Sequence, residues 1–307
     1  MEQSPKYYRG ISPVPKEVSA PEHERTHQQY ASARLTGRLH GTLVAFQPLH
    51  VGSGLLVRPE DVGLPADETP LLKAWMREDS LLVIPGSSLK GVFRSLVELY
   101  TESCVCKTRE GSQHNECRYD SKKHEGTLCP ACKLFGAMGY QGQVRFTDAA
   151  CLTAHTALYF LPPQFKPHVD AEDPKRRYYP HDLVDPRPDA NWPMEVVVPG
   201  ATFALEGQFT NLAPAELGVL LIALGQGPWA LCPKVGAGKS CGLGGVRIQG
   251  LQVEQVDPVR AYTTLDDSAA WSPVDMESCI EAADPLCRSE VLQILARDLA
   301  CPEVAHG

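Results

Sequence analysis

The chain has 307 residues, a hydrophobic content of 43% and a formal net charge of −8. This composition suits one large domain, or two small ones, with a substantial core. No run approaches the roughly 18 uninterrupted apolar residues of a membrane span, and the N-terminus has no apolar signal region, so we expect a cytoplasmic protein without a membrane partner. Eleven cysteines in such a protein favour metal ligands or free thiols over disulfides.

The acidic charge is concentrated at the C-terminal end. Residues 251–307 hold 11 acids and 3 Lys/Arg, whereas residues 1–250 hold 26 of each kind. A chain whose body is neutral can still bind a polyanion where its cations cluster. The net charge therefore does not exclude a nucleic-acid partner.

Periodicity and turn residues divide the chain into segments. In chain order we predict an N-terminal arm (1–34), a strand (35–49), a long loop (50–80), a helix (87–101), a cysteine-rich insertion (102–133), a strand (143–149), a Pro-rich insertion (162–195), strand segments (196–209), a helix (211–225), a glycine-rich loop (233–244), a strand (245–253) and an acidic C-terminal appendage (254–307) with a peripheral helix at 285–300. The core at 35–253 has the βαββαβ order of α+β ferredoxin-like proteins and of RNA-recognition modules.

Residues 84–101 are the most informative stretch. A short apolar run ends at a Pro-Gly pair, and we expect a helix to begin at Ser87 or Ser88. Apolar residues at helical spacing form an inward face: Leu89, Phe93, Leu96, Val97 and Tyr100. The first turn also carries Lys90 and Arg94, and cations with free N–H groups at a helix N-terminus favour a phosphate. An ordinary amphipathic helix with solvated cations is the alternative.

The insertion after this helix holds five cysteines within 29 residues: Cys104, Cys106, Cys117, Cys129 and Cys132. The last two form a CxxC turn, which lets two thiolates bind one metal ion. Adjacent thiols of a CxC pair rarely share one zinc, so we expect either Cys104 or Cys106 to be spare. Two histidines are other possible fourth ligands: His114 and His124. We predict structural Zn²⁺ that staples this short polar segment, with free thiols or redox chemistry as alternatives.

The glycine-rich loop places Gly236 and Gly238 between Lys234 and Lys239. It is not a nucleotide-binding P-loop, because position 233 is proline where that motif needs glycine, and because a P-loop joins a strand to a helix. Glycines permit close approach of the backbone to a ligand, and the flanking lysines favour a phosphate. A flexible turn is the alternative.

Two other segments carry candidate functional groups. The loop before the helix holds six acids, and three of them are candidates to bind Mg²⁺ or act as a general base: Asp61, Asp67 and Glu68. The alternative is that these acids are simply solvated. The Pro-rich insertion mixes cations with aromatics, a composition that suits phosphates and stacked bases: Arg176, Arg177, Tyr178 and Tyr179. A solvated Pro-rich loop is the alternative for the second segment.

Four stretches occur together in one order: 49–54 (LHVGSG), 84–94 (IPGSSLKGVFR), 128–136 (LCPACKLFG) and 234–245 (KVGAGKSCGLGG). Over roughly residues 40–250 the chain resembles the RAMP superfamily of CRISPR-associated proteins. Within that superfamily it looks like a Cas-seven-type backbone subunit of a type III effector complex. The resemblance implies an RRM-like core with a zinc-binding insertion, a thumb-like insertion and a C-terminal helical appendage.

The resemblance also implies partners and an activity. The partners would be a guide RNA (crRNA), a target RNA and other effector subunits, including copies or paralogues of this chain. Guide contacts would come from three of these stretches, 49–54, 84–94 and 234–245: His50, Ser87, Ser88, Lys90, Arg94, Lys234, Gly236, Gly238 and Lys239. The Arg-Arg-Tyr-Tyr run at 176–179 would form a thumb that splays the guide–target duplex.

Many such subunits cut target RNA by attack of the ribose 2′-hydroxyl with Mg²⁺ or a similar ion. Asp67 best matches the family's aspartate, although its gap to Pro70 is one residue longer than expected, and Glu68 or Asp61 could take its place. Inactive paralogues also exist in the family. The alternatives are therefore a non-catalytic guide-binding paralogue and a stand-alone RNA-binding protein stapled by zinc.

Overall fold

A computed structural model describes residues 8–12, 30, 33–66, 68–104, 117–120, 125–137, 139–162, 175–182, 192–264 and 267–302. The strands are β1 (Arg9–Ile11), β2 (Leu35–Ala45), β3 (Gly52–Val57), β4 (Leu72–Trp75), β5 (Arg77–Glu78), β6 (Leu81–Ile84), β7 (Arg118–Asp120), β8 (Glu125–Thr127), β9 (Val144–Phe146), β10 (Ala149–Thr153), β11 (Thr156–Leu161), β12 (Arg176–Tyr178), β13 (Trp192–Val197), β14 (Thr202–Leu212), β15 (Val246–Val256) and β16 (Trp271–Pro273). The helices are α1 (Gly86–Tyr100), α2 (Pro130–Phe135), α3 (Pro214–Ala223), α4 (Pro258–Thr263), α5 (Met276–Ala282) and α6 (Ser289–Asp298). Within these ranges, no helix combines the length and the apolar character needed to cross a membrane.

The main sheet has the strand order β16-β15-β2-β14-β10-β6-β5, and β9 also pairs with β14. Its centre has the predicted order of elements, because β2, α1, β10, β14, α3 and β15 occur in that order along the chain, with other strands between them. In the sheet these strands lie in the order fourth, first, third, second, and each neighbouring pair is antiparallel. This arrangement is consistent with the predicted ferredoxin-like core. The strand predicted at 143–149 covers β9 and only the first residue of β10.

Alternation along the central strands gives the main sheet one buried and one polar face. In β2, Leu39 and Leu43 are buried beneath the helices. On the opposite face, Arg38 lies opposite Gln208 of β14, and His40 lies opposite Glu206. This stripe carries no Phe, Tyr or Trp among these four residues, although a histidine ring and a guanidinium plane can also stack on RNA bases.

The C-terminal segment, which the sequence predicts to be an appendage, packs against the helices of the core. Helix α3 is buried from Leu217 through Ala223, because α5 packs on the side that the sheet leaves open. Gly218 makes this close packing possible, since a Cβ atom there would lie 1.9 Å from the carbonyl oxygen of Cys279. The apolar face of α6, which includes Leu292 and Leu295, belongs to the same core. The helix predicted at 285–300 is thus present as α6, but it packs into the core and is not peripheral.

The C-terminal end is also joined covalently to the core. Cys232 and Cys301 form a disulfide, so the expectation of metal ligands or free thiols does not hold for this pair. The backbone N–H of Cys232 donates to the carbonyl oxygen of Leu299 at 2.8 Å. The end of α6 and the segment that precedes the glycine-rich loop are thus fastened together.

The predicted long loop at 50–80 is also wrong, because it contains β3, β4 and β5. These strands are short and the first begins with a Gly-Ser-Gly run, so they lack the length and alternation that identify a strand in sequence. A second sheet forms with the order β11-β13-β4-β3. Its buried Glu195 accepts hydrogen bonds from the guanidinium of Arg77 and from the backbone N–H of Trp75.

Candidate functional site

Four cysteine sulfurs lie together beside α1, all within 4.8 Å of one another: Cys104, Cys117, Cys129 and Cys132. The Cys104 sulfur is 3.4 Å from that of Cys132 and 3.7 Å from that of Cys129. A tetrahedral zinc ion with Zn–S distances of about 2.3 Å would place its ligands about 3.8 Å apart, so the spacing fits such an ion. Cys104 is the fourth member of this group, and Cys106, His114 and His124 lie outside the described residues.

Backbone N–H groups point at these sulfurs. The N–H of Cys129 donates to the Cys117 sulfur at 3.1 Å, and the N–H of Cys132 donates to the Cys129 sulfur at 3.4 Å. Cys129 also caps α2, so the CxxC turn and the start of a helix are one structure. Hydrogen bonds with Cys104 and the other sulfurs lower the pKa of Cys129 and raise that of Cys132. Donors of this kind suit a set of thiolates around a metal ion.

Arg94 connects this cluster to α1. Its Nη2 donates to the Cys132 sulfur at 3.3 Å, its Nη1 to the carbonyl oxygen of Gly136 at 2.6 Å, and its Nε to Glu98 at 2.7 Å. The side chain is buried, with 6% of its surface exposed. Arg94 is thus not placed for the predicted contact with an RNA phosphate, because its donors already bind groups inside the protein.

The start of α1 also differs from the prediction. The helix begins at Gly86 after Pro85, not at Ser87 or Ser88, and the Gly86 N–H donates to the carboxylate of Asp148 at 2.7 Å. A carboxylate therefore occupies the positive end of the helix, where we predicted a phosphate. Ser87 is exposed and Ser88 and Lys90 are half-buried on the first turn.

The glycine-rich loop packs against the end of the first core strand. The N–H of Ala237 donates to the carbonyl oxygen of His50 at 2.9 Å. Gly236 has φ +79°, and a Cβ atom there would lie 2.1 Å from the same oxygen. Glycine at this position is required because the two backbones touch. Two of the motif stretches, 49–54 and 234–245, thus form one surface.

His50 lies inside this contact and is 2% exposed. Its Nδ1 is 2.5 Å from the carbonyl oxygen of Glu195, and burial lowers its pKa. The histidine therefore joins the two sheets. It is not exposed for the guide contact that the resemblance implied.

The cations of the glycine-rich loop crowd together. Lys234 is 7% exposed, and its Nζ donates to the carbonyl oxygen of Lys239 at 3.1 Å. Burial, followed by the charge of Lys239, lowers the pKa of Lys234 to about 8. Burial and the charge of Arg176 likewise lower the pKa of Lys239. In the part of the chain that the structure describes, neither lysine forms an ion pair with a carboxylate, so like charges face one another here.

His181 extends the same cluster. Its Nε2 is 3.0 Å from the carbonyl oxygen of Cys232, while its buried Nδ1 has no hydrogen-bond partner among the described residues. Burial and the charge of Lys234 lower its pKa to about 4, so the ring is neutral at physiological pH. The charge of the nearby Asp182 acts in the opposite direction and raises the pKa of both Lys234 and His181.

Strand β12 carries the predicted thumb residues, but two of them are anchored in the body of the protein. The Nη2 of Arg176 lies 2.5 Å from Glu98 and 2.8 Å from the hydroxyl of Ser95, both on α1. Tyr178 is buried, and its hydroxyl donates to Asp298 of α6 at 2.7 Å. β12 therefore lies between two helices and does not project from the surface.

The other two thumb residues and the predicted arm are also partly described. Arg177 and Tyr179 are half-buried, and Arg177 lies over the ring of Tyr8. The arm residues of β1 pair with β12, and Arg9 forms an ion pair with Asp298. The flanking segments of the predicted thumb, 163–174 and 183–191, lie outside the described residues.

The candidate catalytic acids lie between β3 and β4. Asp67 lies outside the described residues. Glu68 and Asp61 are exposed, and the carboxylate of Asp61 accepts the N–H of Arg58 at 3.3 Å, which caps a short helical turn. After these acids, the hydroxyl of Thr69 donates to the carbonyl oxygen of Leu71 at 2.8 Å.

Sequence reasoning missed three acids that organise the site. Glu98 joins Arg94 to Arg176, and its i,i+4 spacing from Arg94 was a readable signal. Asp298 and Asp148 hold β12 and the start of α1 from distant parts of the chain, and no local pattern identifies such partners.

The comparison with known families agrees with the motifs. The chain matches the family model for the RAMP superfamily over residues 42–247, which is more than half of its length. The chain belongs to the RAMP superfamily. No curated protein matches it. Membership supports a CRISPR-associated, RNA-binding role, since RAMP proteins typically bind crRNA and the other subunits of a complex.

The matched span of this RAMP protein runs from within β2 to the start of β15. It includes α1, the cysteine cluster, β12 and the glycine-rich loop. The residues that the superfamily model describes are therefore those that converge on the site.

Proposed function

We propose that this RAMP protein is a guide-RNA-binding backbone subunit of a type III CRISPR effector complex. The observation that supports this best is the positive charge at the glycine-rich loop, which no carboxylate of the described residues pairs. Lys234 and Lys239 have pKa values lowered by burial and by neighbouring cations, which means that the described residues compensate their charged forms only in part. A phosphate backbone would supply the missing negative charge.

The guide contacts that we keep are those that the structure leaves on the surface or at this loop: Ser87, Ser88, Lys90, Lys234, Gly236, Gly238 and Lys239. Arg177 and Tyr179 are kept for the base of the thumb. His50, Arg94, Arg176 and Tyr178 have structural roles instead, because each is held by the internal contacts described above.

The cysteine cluster is proposed to bind one structural zinc ion. All four ligands come from the protein, so the site is closed and supplies no reactive position. When bound, the ion would fasten the insertion to α1 and would itself take no part in cleavage. Metal analysis of protein purified without added zinc tests this, and one zinc per chain is expected. Iron, or no metal with four free thiols, would contradict it.

Target cleavage is proposed to depend on Asp67, with Glu68 and then Asp61 as alternatives. A carboxylate on a loop can hold Mg²⁺ or accept the proton of a 2′-hydroxyl. Asp61 is the weakest of the three because it already caps a turn. The test is cleavage of a complementary target RNA by the assembled complex that carries Asp67→Ala, with Glu60→Ala, which replaces an exposed acid of the same loop, as a matched control. Unchanged cutting with Asp67→Ala removes this assignment and makes Glu68→Ala the next variant.

The RNA that accompanies the protein tests the wider proposal. We expect natively purified protein to carry RNA with repeat-derived ends and to co-purify with other effector subunits. Bound RNA without such ends would favour the stand-alone RNA-binding protein. Guide-bound complex that never cuts, in wild-type form and with Mg²⁺, would favour the non-catalytic paralogue.

A further inference from the structure

Helix α1 carries a buried arginine and a buried glutamate one turn apart, and each has a second partner on another element. Arg94 and Glu98 are 6% and 4% exposed and lie 2.7 Å apart. Arg94 also donates to the Cys132 sulfur at 3.3 Å, and Glu98 also pairs with Arg176 of β12 at 2.5 Å. A continuous chain of polar contacts thus runs from the cysteine cluster, through one turn of α1, to β12.

The charges in this chain of contacts do not balance without the cysteines. Two guanidinium groups share one carboxylate, and a buried charge without a partner is costly. Four neutral thiols would not correct this. Four thiolates around a divalent ion carry a net charge of about −2, and the guanidinium of Arg94 would then face the negative charge that it lacks.

The geometry of Arg94 suits this role. One guanidinium contacts the sulfur of Cys132 and, at 2.6 Å, the carbonyl oxygen of Gly136, the residue that ends α2. It therefore fixes the short helix that presents two of the four sulfurs. Hydrogen bonds from outside the ligand set commonly orient ligands and tune metal affinity.

The far end of the chain of contacts reaches the glycine-rich loop. Arg176, which Glu98 holds against α1, is the cation that lowers the pKa of Lys239 together with burial. β12 also pairs with β1, so its position is registered by a ladder of backbone contacts between Arg9–Ile11 and Arg176–Tyr178.

We propose that Arg94 is a positioning residue for the metal centre, and that Glu98 transmits the state of that centre to Arg176 and hence to the strand beside the glycine-rich loop. Metal loading and the arrangement of the anion-binding loop are then coupled. Only the last part of this inference, an effect on guide RNA, rests on the proposed function.

The first test measures zinc affinity by competition with a chromogenic chelator. We expect Arg94→Met to weaken zinc binding by about 10-fold or more, the range typical of residues that orient metal ligands. Arg94→Lys should fall between, since it keeps a charge but lacks the planar fork. Arg260→Met, on the exposed helix α4, is the matched control. Wild-type affinity in Arg94→Met overturns the proposal, and if that variant does not fold, wild-type affinity in Arg94→Lys does so.

The second test measures amide hydrogen exchange of β12 in the zinc-loaded and the chelated protein. We expect chelation to speed amide exchange at 176–178 in wild type. In Glu98→Gln, chelation should raise the exchange rate by less than about 2-fold, although the zinc affinity of this variant should stay within about 3-fold of wild type. Exchange at β12 that ignores chelation in wild type overturns the transmission through Glu98. A third measurement is the affinity for guide RNA, which we expect to be weaker in both Arg94→Met and Glu98→Gln than in wild type. Failure of wild-type protein to bind guide RNA would contradict the proposed function but would leave the zinc and exchange results standing.

Discussion

The cations near the cysteine cluster and those of the glycine-rich loop differ in what surrounds them. Near the cluster, Arg94 pairs with Glu98, and Lys133 pairs with Glu216 of α3 at 2.6 Å. At the loop, Lys234 and Lys239 lie beside each other and beside another cation. A buried cation with an acid beside it is compensated within the fold, whereas the two loop lysines form no ion pair with a carboxylate of the described residues, which suits the anion that we propose for this loop.

Cys132→Ser should have the largest effect, because it removes a proposed zinc ligand from the cysteine cluster, where the cations are paired with acids. We expect loss of the bound zinc and a fall in the free energy of unfolding of several kcal/mol, since the binding energy of a structural metal is also folding energy. Denaturant unfolding and metal analysis measure the two effects. Cys151→Ser, a half-buried thiol outside the cluster, is the control. Equal stability of the two variants would contradict a structural metal.

Arg77→Met extends the same contrast to the second sheet. It would leave Glu195, which is fully buried, without its guanidinium partner. We expect a loss of about 3 kcal/mol in the free energy of unfolding, the usual cost of breaking a buried ion pair. RNA affinity at a temperature where the variant is folded should stay within about 2-fold of wild type. A selective loss of RNA binding would show that paired cations also contribute to the RNA surface.

Replacing both Lys234 and Lys239 by alanine should give the opposite result. We expect guide affinity to fall by about 100-fold while the folded state persists, and the dependence of affinity on salt to become shallower by about 0.7 per lost phosphate contact. Filter binding across a salt series measures both quantities. Arg260→Ala is the control, since that side chain is exposed on α4. An unchanged salt dependence would mean that these two lysines do not contact the RNA phosphates.

The smallest expected effect is a pH dependence of stability. Lys234 has a pKa of about 8 in the folded protein and about 10.5 in the unfolded chain, so the unfolded chain binds more protons between these values. The free energy of unfolding should therefore rise as the pH increases from 8 towards 10. Lys234→Met should lack this part of the rise, as measured by urea unfolding of both proteins at several pH values. Parallel pH profiles would mean that Lys234 is compensated by a group beyond the described residues.

Hydrophobic spacing and turn residues in the sequence predicted the elements that form from neighbouring residues. The apolar spacing of 84–101 placed α1 to within one residue at each end. The ordered strands and helices indicated the ferredoxin-like order for the same reason. The CxxC turn similarly identified the cysteine cluster.

Contacts between distant residues could not be read in this way. Asp148 caps α1 from 62 residues away, and Asp298 holds Tyr178 from 120 residues away. Each of these acids gives an internal partner to a group that the local sequence places at the end of a helix or strand. Burial argues against the guide contacts predicted for His50 and Arg94, and much of that burial could not be read locally. Glu98 lies one turn from Arg94, but Cys132 and Gly136 become its neighbours only when the chain folds.

The packing of α5 against α3 and of α6 against α1 determines where the folding unit ends. A protein truncated after residue 256, at the last strand of the ferredoxin-like order, would uncover the apolar side of α3 and release Cys232 from Cys301. An exposed apolar surface of that kind drives aggregation. The acidic residues after 256 therefore belong to a segment that cannot be trimmed as a tail, and any shortened form of this RAMP protein should extend through Cys301.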